Sequence, residues 1–315
     1  MKTRILLILL ALLISVCGCG GKAPEGAAEP DNEPFAEAPS PEASFCRVTL
    51  HFISDEGYIV PVTKYIPWEE GIAKACLSYM ISTPENLSAA RELGLSPAIP
   101  EGVSLGLSIA DGNALVDLKG MSALPSKEAE LAMIESVVNT LVEFPTVSSV
   151  TITRDGRGGE LENGALLPVR QCAYPLNPEE GELSASAGGE YLKLYFPNSS
   201  GALTVPVARQ AGGRSLYSLA SALVSGPDAK GLLSCFPDGT LLLGATLENG
   251  VVTINLSEDF KKVAETEGLF TLCFRTAWLT LGESYDFDKL RFQVNGADYA
   301  PEQAEAPSMI NAPTR

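Results

Sequence analysis

The chain has 315 residues, 45% of them hydrophobic, which is enough for two domains with buried cores. Asp and Glu outnumber Lys and Arg by 39 to 22, which gives a formal net charge of −17. Because such a surface repels phosphate groups and no basic run is present, the composition argues against nucleic-acid binding. It also argues against binding to anionic lipid headgroups, so contact with a membrane would need an anchor.

The N-terminus supplies a predicted anchor. A short basic start leads into an apolar run at 5–16, which is too short to span a bilayer but is typical of a secretory signal. The run ends in Val16-Cys17-Gly18-Cys19, which resembles the bacterial lipobox. Cys19 is then the expected lipidated residue, diacylated after cleavage at Gly18. Cys17 is the runner-up, because bulky Val16 directly before it does not suit a cleavage site. A cleaved signal without a lipid is the alternative.

The first long series of elements follows this segment. Alternating apolar residues predict a pair of strands within 48–62, and Pro61 marks the second as an edge strand. Apolar residues at helical spacing predict a helix that ends before Pro84. Two strands joined at Asp111-Gly112, a dipeptide that suits a tight hairpin, precede a second helix and a last strand that ends near residue 152. The second helix carries a predicted apolar stripe, formed by Leu131, Ile134, Val138, Leu141 and Val142.

The same series is repeated at an offset of about 140 residues. Each copy has a Pro in its second strand, a Pro after its first helix, a Pro-acid-Gly turn and a Gly after its last strand. These landmarks are Pro61 and Pro206, Pro84 and Pro227, Pro100 and Pro237, Gly102 and Gly239, and Gly156 and Gly296.

The order strand, strand, helix, strand, strand, helix, strand predicts an α+β fold, used twice. Each copy is expected to be a small two-layer domain, with a mostly antiparallel sheet and both helices on one face. Segments rich in Ala, Pro, Glu, Gly and Ser separate and flank the copies. The predicted division is a signal peptide at 1–18, a flexible tether at 19–45, a first domain at 46–172, a linker at 173–190, a second domain at 191–299 and a loose tail at 300–315.

The ordered landmarks, taken with Val116-Asp117-Leu118 and Thr140-Leu141 and their repeats in the second copy, resemble the GerM-domain family. The resemblance implies lipoproteins on the outer face of the cytoplasmic membrane in spore-forming and related bacteria. It implies domains similar to the ring-building modules of secretion-system rings, and a role beside the channel complex of sporulating cells. Two positions depart from the family pattern, with Asn255 in place of Asp and Thr83 in place of the Gly before Pro84.

No residue pattern predicts catalysis, a cofactor or a metal site, and the family has no assigned catalytic residues. His51 lies alone in the middle of a strand, and its counterpart in the second copy is Tyr195. Cys46 and Cys172 bracket the first copy and could form a disulfide, since the outside of the cell permits one. The thiols at helix and turn positions are expected to be small buried hydrophobes, and these are Cys76, Cys235 and Cys273.

The preferred hypothesis is a membrane-anchored scaffold whose two modules contact other envelope or sporulation channel proteins, or further copies of the chain. A protein that binds cell-wall material such as peptidoglycan is the rival hypothesis, and an enzyme is the weakest of the three. What recurs in both copies is apolar stripes, turns and helix ends, which favours contact over chemistry.

Overall fold

The structure, a computed structural model, describes residues 44–179, 191–210 and 213–312. The predicted signal peptide and both candidate lipidation residues, Cys17 and Cys19, lie outside these ranges. Within the described ranges, no helix is both long enough and apolar enough to cross a bilayer.

Copy 1 contains two small sheets and three helices. The first sheet has the order β2-β1-β3 and is antiparallel, and the second has the order β4-β5-β6. The elements in chain order are β1 (Phe45–Ser54), β2 (Ile59–Pro67), α1 (Ile72–Tyr79), α2 (Pro84–Arg91), β3 (Leu95–Ser96), β4 (Ser104–Ala110), β5 (Asn113–Lys119), α3 (Lys127–Val142) and β6 (Ser149–Arg154).

Copy 2 repeats this frame with different additions. Its sheets have the orders β7-β8 and β12-β11-β10-β9, and a 3₁₀ helix at Glu258–Glu265 precedes its long helix. The other elements are β7 (Tyr191–Pro197), β8 (Thr204–Gln210), α4 (Leu216–Val224), β9 (Leu242–Glu248), β10 (Val251–Leu256), α5 (Leu269–Gly282), β11 (Lys289–Val294) and β12 (Ala297–Asp298).

The predicted α+β fold and its doubled element order are confirmed, but the pairing within each copy is more complex than one antiparallel sheet. β5 pairs with β6, and β10 with β11, in parallel. A parallel pair needs a crossover connection, and the long helices α3 and α5 provide it. Local sequence patterns locate these strands correctly but do not determine which strands become neighbours.

The hairpins follow the predicted turn chemistry. Asp111-Gly112 joins β4 to β5 with φ values of 49° and 73°, and Asn249-Gly250 joins β9 to β10 with 51° and 74°. Asn, Asp and Gly accept this left-handed backbone, which two-residue hairpin turns require. The turn residues therefore fix the register of each hairpin.

Pro84 has a role that differs from the prediction. It does not simply end the first helix, because α1 ends at Tyr79 and Pro84 is the first residue of α2. Thr83 caps this helix, and its side chain accepts a hydrogen bond from the Asn86 N–H. The equivalent Pro227 in copy 2 starts no helix.

The core of both copies is built on the long helices. α3 packs against β1 and α5 against β7. The predicted stripe on α3 is confirmed at its centre, since Ile134, Val138 and Leu141 are buried. Burying one such side chain contributes about 1.5–3 kcal/mol, so these helix faces hold each copy together.

Candidate interaction site between the two copies

A repeated hydrogen bond ties each long helix to its sheet. In copy 1 the His51 N–H donates to Thr140 Oγ1 over 3.1 Å, and in copy 2 the Tyr195 N–H donates to Thr280 Oγ1 over 3.0 Å. Both threonines are fully buried. The Thr-Leu landmark of the sequence is thus a structural contact in which helix hydroxyls satisfy strand amides that would otherwise be unpaired.

A second repeated contact explains the Asp117 and Asn255 landmarks. Asp117 Oδ1 accepts a hydrogen bond from the Gly156 N–H over 2.8 Å, and Asn255 Oδ1 accepts one from the Gly296 N–H over 2.9 Å. Both glycines have positive φ and lie in the turn after the last strand of their copy. Because Asp and Asn share the accepting Oδ1 atom, the Asn255 departure from the family pattern keeps the contact.

The edge strands β2 and β8 face each other across the junction between the copies. Pro61 lies opposite His51, and Pro206 lies opposite Tyr195. β2 and β8 are each the last strand of their sheet, which confirms the predicted edge position of Pro61. Proline is tolerated there because its missing N–H would point away from the paired strand.

Asn177 bridges this junction from the segment that leaves copy 1. Its Oδ1 accepts a hydrogen bond from the Ile59 N–H over 2.8 Å, and its Nδ2 donates to the Ile59 carbonyl over 2.8 Å. The same Nδ2 donates to the Pro206 carbonyl over 2.7 Å. One amide therefore pairs the outer edges of both strands.

Asn311 repeats the bridge in the opposite direction, from the segment that leaves copy 2. Its Oδ1 accepts from the Thr204 N–H over 2.7 Å, and its Nδ2 donates to the carbonyls of Thr204 and Pro61 over 2.8 and 2.9 Å. Asn177 and Asn311 have φ values of 49° and 48°, a left-handed backbone that Asn tolerates. We call these two residues and the strand groups that they bind the clasp.

The clasp corrects the prediction of a loose tail. Asn311 is only 2% exposed, and the adjacent Ile310 carbonyl accepts a hydrogen bond from the Thr63 N–H over 2.8 Å. The Ala, Pro and Glu content of 300–315 suggested a segment without partners, but a buried amide that forms three hydrogen bonds outweighs local composition.

The segment after copy 1 is likewise docked on copy 2 as far as Glu179, the last described residue before the gap. The Glu179 carboxylate is buried and binds Arg209, which also donates to the carbonyls of Ala222 and Gly226 at the end of α4. A hydrogen-bonded ion pair of this kind fixes the path of the connection. The first part of the predicted linker is therefore anchored.

His51 is unsuited to base catalysis. It is 3% exposed, and its Nδ1 lies 3.1 Å from Thr140 Oγ1. Burial, with a smaller effect of the nearby Lys193 cation, lowers the His51 pKa from 6.5 to about 3. The ring is neutral at physiological pH and has a structural role.

The five cysteines that the structure describes form no disulfide with one another. Cys46 is half-buried on β1 and Cys172 is exposed after β6, and the possible disulfide between them is not formed in the structure. Cys76, Cys235 and Cys273 are buried as expected, and burial, with a smaller effect of Cys46, raises the pKa of the Cys76 thiol to about 12. In the described residues, no group of three or more His, Cys, Asp or Glu side chains could hold a metal ion.

The remaining landmarks shape turns. Gly102 and Gly239 follow Pro100 and Pro237 with φ values of 82° and 86°, and in copy 2 the Thr240 N–H donates to the Pro237 carbonyl. Such turns aim the next strand, so their acids need no catalytic explanation. Sequence reasoning missed Asn177 and Asn311, although each follows an apolar residue and lies within two residues of a proline.

Comparison with known proteins identifies the family of this chain. Residues 49–160 and 193–300 each match the Germane family, which is described as sporulation and spore germination. The spore germination protein GerM of Bacillus subtilis (strain 168) is 24% identical over 288 residues, which cover 83% of this chain and 77% of that protein. The solved tandem GerMN domains of the sporulation protein GerM from Bacillus subtilis match with a TM-score of 0.66 and 22% identity, covering 86% of this chain and 100% of theirs. Since the two matched ranges together make up more than half of the sequence, the chain belongs to the Germane family and carries two copies of its domain.

Proposed function

We propose that the chain is a membrane-anchored extracytoplasmic lipoprotein that acts as a protein-interaction and assembly module in sporulation, spore germination or assembly of the cell envelope. The observation that carries the proposal is the match of both copies to a family described by sporulation and spore germination. The proposed anchor is a lipid on Cys19, with Cys17 as the runner-up, on the extracytoplasmic face of the cytoplasmic membrane. The proposed partners are other envelope or sporulation channel proteins, or further copies of the chain.

The clasp supports a role in contact. It uses the outer edges of β2 and β8 inside the chain and holds the two copies in one arrangement. Two surfaces kept in a fixed geometry suit a scaffold, whereas a pair of independently moving domains would lose entropy when both engage a partner. The buried, neutral His51 offers no base for an enzymatic reaction.

Deletion of the gene in its own organism tests the role. We expect fewer heat-resistant spores or slower germination, restored by the wild-type gene. Normal spores and normal germination in the deletion strain would contradict the proposal.

Labelling with radioactive palmitate tests the anchor. We expect Cys19→Ala to abolish incorporation and Cys17→Ala to leave it. Labelling that survives Cys19→Ala would identify Cys17 as the lipidated residue, and labelling absent from the wild-type protein would refute the anchor.

Cell-wall binding is the alternative function, and one surface favours it. Phe45, Tyr65 and Trp68 are 60%, 48% and 60% exposed at the open end of the first hairpin. Phe45 and Arg47 lie opposite Pro67 and Tyr65 on neighbouring strands, so the aromatic groups share a region. Exposed rings can stack on sugars. Co-sedimentation with purified peptidoglycan, lost in Trp68→Ala and kept in Tyr217→Ala on α4, would favour this alternative.

A further inference from the structure

Both copies have a slot between the long helix and the last strand, and copy 1 fills its own. After β6 the chain forms a strap, residues 157–171, that turns back over the slot. Leu161, Ala165 and Leu167 of the strap are 4%, 0% and 7% exposed and belong to the hydrophobic core. The strap therefore supplies the side chains that complete copy 1.

Two sets of bonds hold the strap in place. The carboxylate of Glu130 on α3, fully buried, accepts hydrogen bonds from the N–H groups of Asn163 and Ala165 over 2.9 and 3.1 Å. At the end of the strap, Gln171 and Val150 exchange backbone hydrogen bonds of 2.8 and 2.9 Å, which adds a short bridge to the outer edge of β6. Copy 1 thus binds an extended, apolar segment of its own chain.

Copy 2 covers the equivalent slot only in part, with its own segment 298–304. Phe270 stands where Glu130 does, and a concave pocket of about 520 Å³ is lined by Phe270, Phe274, Leu290 and Phe292. β12 pairs with β11 at Gln293 and Val294, and the Tyr299 N–H donates to the Phe292 carbonyl over 3.0 Å, so the described residues leave the outer edge of β11 unpaired only at 289–291. Among the described residues of copy 2, no backbone bridge at Leu290 corresponds to the one between Val150 and Gln171.

The rim of this pocket carries charges of both signs. Lys289 and Arg291 are exposed on β11, and Arg291 Nη1 lies 3.7 Å from Asp298 Oδ2. Glu302 accepts hydrogen bonds from the N–H and hydroxyl of Thr271, so its carboxylate is engaged. In a chain of net charge −17, the exposed Lys289 beside an apolar pocket offers a local site for an acidic partner.

We propose that the uncovered part of the slot in copy 2 binds an extended segment of a partner protein, in the way that copy 1 binds its own strap. The segment places a large apolar side chain in the pocket, runs along the outer edge of β11 at 289–291 and carries an acidic residue beside Lys289. This is strand addition with a side-chain anchor. The inference rests on the proposed function and names the surface and the class of partner.

Selection of phage-displayed random peptides on the purified full chain tests the proposal. We expect enrichment of sequences with a large apolar residue close to Asp or Glu. The enriched peptides should bind Ala304→Trp, which fills the pocket, at least about tenfold more weakly. The control Ala89→Trp, an exposed position on α2, should leave binding unchanged. Ala300→Trp fills the pocket from a different position if Ala304→Trp does not fold.

Charge reversal gives an independent measurement. Lys289→Glu should weaken binding of the acidic peptides by about threefold to tenfold, more at low salt than at high salt. Lys127→Glu, at the start of α3 in copy 1, is the matched control and should have no effect.

The outcomes separate this inference from the proposed function. If no peptide is enriched, if the enriched peptides lack the apolar and acidic residues, or if they bind the pocket-filled variants normally, the slot assignment is wrong. The role in sporulation would then still stand on the deletion phenotype. Conversely, normal spores in the deletion strain would refute the proposed function, while loss of peptide binding in Ala304→Trp would still establish the slot.

Discussion

The two copies share a frame and differ in what closes it. In copy 1 the strap packs over α3 and β6, and a buried carboxylate, Glu130, holds it. In copy 2 the same position is Phe270, and aromatic rings pack together in the core. The ring centroids of Phe260 and Phe292 lie 5.2 Å apart. The contacts that recur join helix to strand and strand to turn, whereas the segment after the last strand has diverged. A duplicated domain can thus keep its frame while the segment that covers the slot changes.

Removing Glu130, which holds the strap, should have the largest effect on stability. That effect should be confined to copy 1. We expect Glu130→Ala to lower the free energy of unfolding by about 4 kcal/mol, because the N–H groups of Asn163 and Ala165 lose their acceptor at a fully buried site. Urea unfolding measures the loss, and amide hydrogen exchange should be faster in 160–167. Glu128→Ala, two residues earlier and exposed, should change little. A loss below about 1 kcal/mol would show that the strap does not depend on this carboxylate.

Removing a side chain of the clasp should have the next largest effect on stability. It should affect both copies together. Asn311→Ala leaves two carbonyls and one N–H without partners at a buried site, so we expect a loss of about 3 kcal/mol in chemical unfolding. Asn177→Ala, at a half-buried residue, should cost about 2 kcal/mol. Asn311→Gly keeps the left-handed backbone and removes the amide. If Gly restored stability, backbone conformation and not hydrogen bonding would explain the residue.

Lowering the pH should destabilise the protein through His51, a residue that copy 2 replaces with Tyr195. Because its pKa in the folded protein lies near 3, below the ordinary 6.5, the unfolded chain binds the proton first as pH falls. The stability that neutral His51 contributes is present above pH 6.5 and is lost between about pH 6.5 and 3. We expect His51→Tyr, which installs the copy 2 residue, to remove about 2 kcal/mol of the stability lost between neutral pH and about pH 5. Equal pH profiles for both proteins, from unfolding at several pH values, would contradict this.

The repeated helix-to-strand bond should matter in both copies. Thr140→Val and Thr280→Val keep the side-chain shape and leave the N–H of His51 or Tyr195 without its acceptor. We expect each to cost about 1–2 kcal/mol, with the larger loss for Thr140→Val, because Thr140 Oγ1 also lies 3.1 Å from His51 Nδ1. Thermal unfolding of both variants measures this, and a loss in only one variant would mean that the shared contact matters in only one copy.

The smallest effect should come from exchanging the turn acceptors. Asp117→Asn and Asn255→Asp keep the Oδ1 atom that binds Gly156 or Gly296, so we expect changes within about 0.5 kcal/mol. Asn255→Leu removes the acceptor and should cost about 1 kcal/mol by the same measurement. If Asp117→Asn were strongly destabilising, the carboxylate charge would have a role that the shared contact does not explain.

The sequence predicted what local chemistry determines. Asp111-Gly112 fixed a hairpin, Pro61 marked an edge strand, and the apolar spacing on α3 located its buried face. The clasp could not be read in this way, because Asn177 and Asn311 bind strand residues 118 and 250 positions away. Nor could the strap be predicted, since nothing in its composition says that its Leu161 and Leu167 enter the core of copy 1.

The clasp also bears on how a chain with two copies could arise. Each copy sends its trailing segment to the edge strand of the other, with the same amide and the same backbone groups in both directions. Two identical chains make such reciprocal contacts about a two-fold axis. A one-copy ancestor would form this contact as a homodimer that dilution could separate. Joining the copies in one polypeptide makes their pairing intramolecular and independent of protein concentration. A chain that carries both copies then needs no second chain to form these contacts.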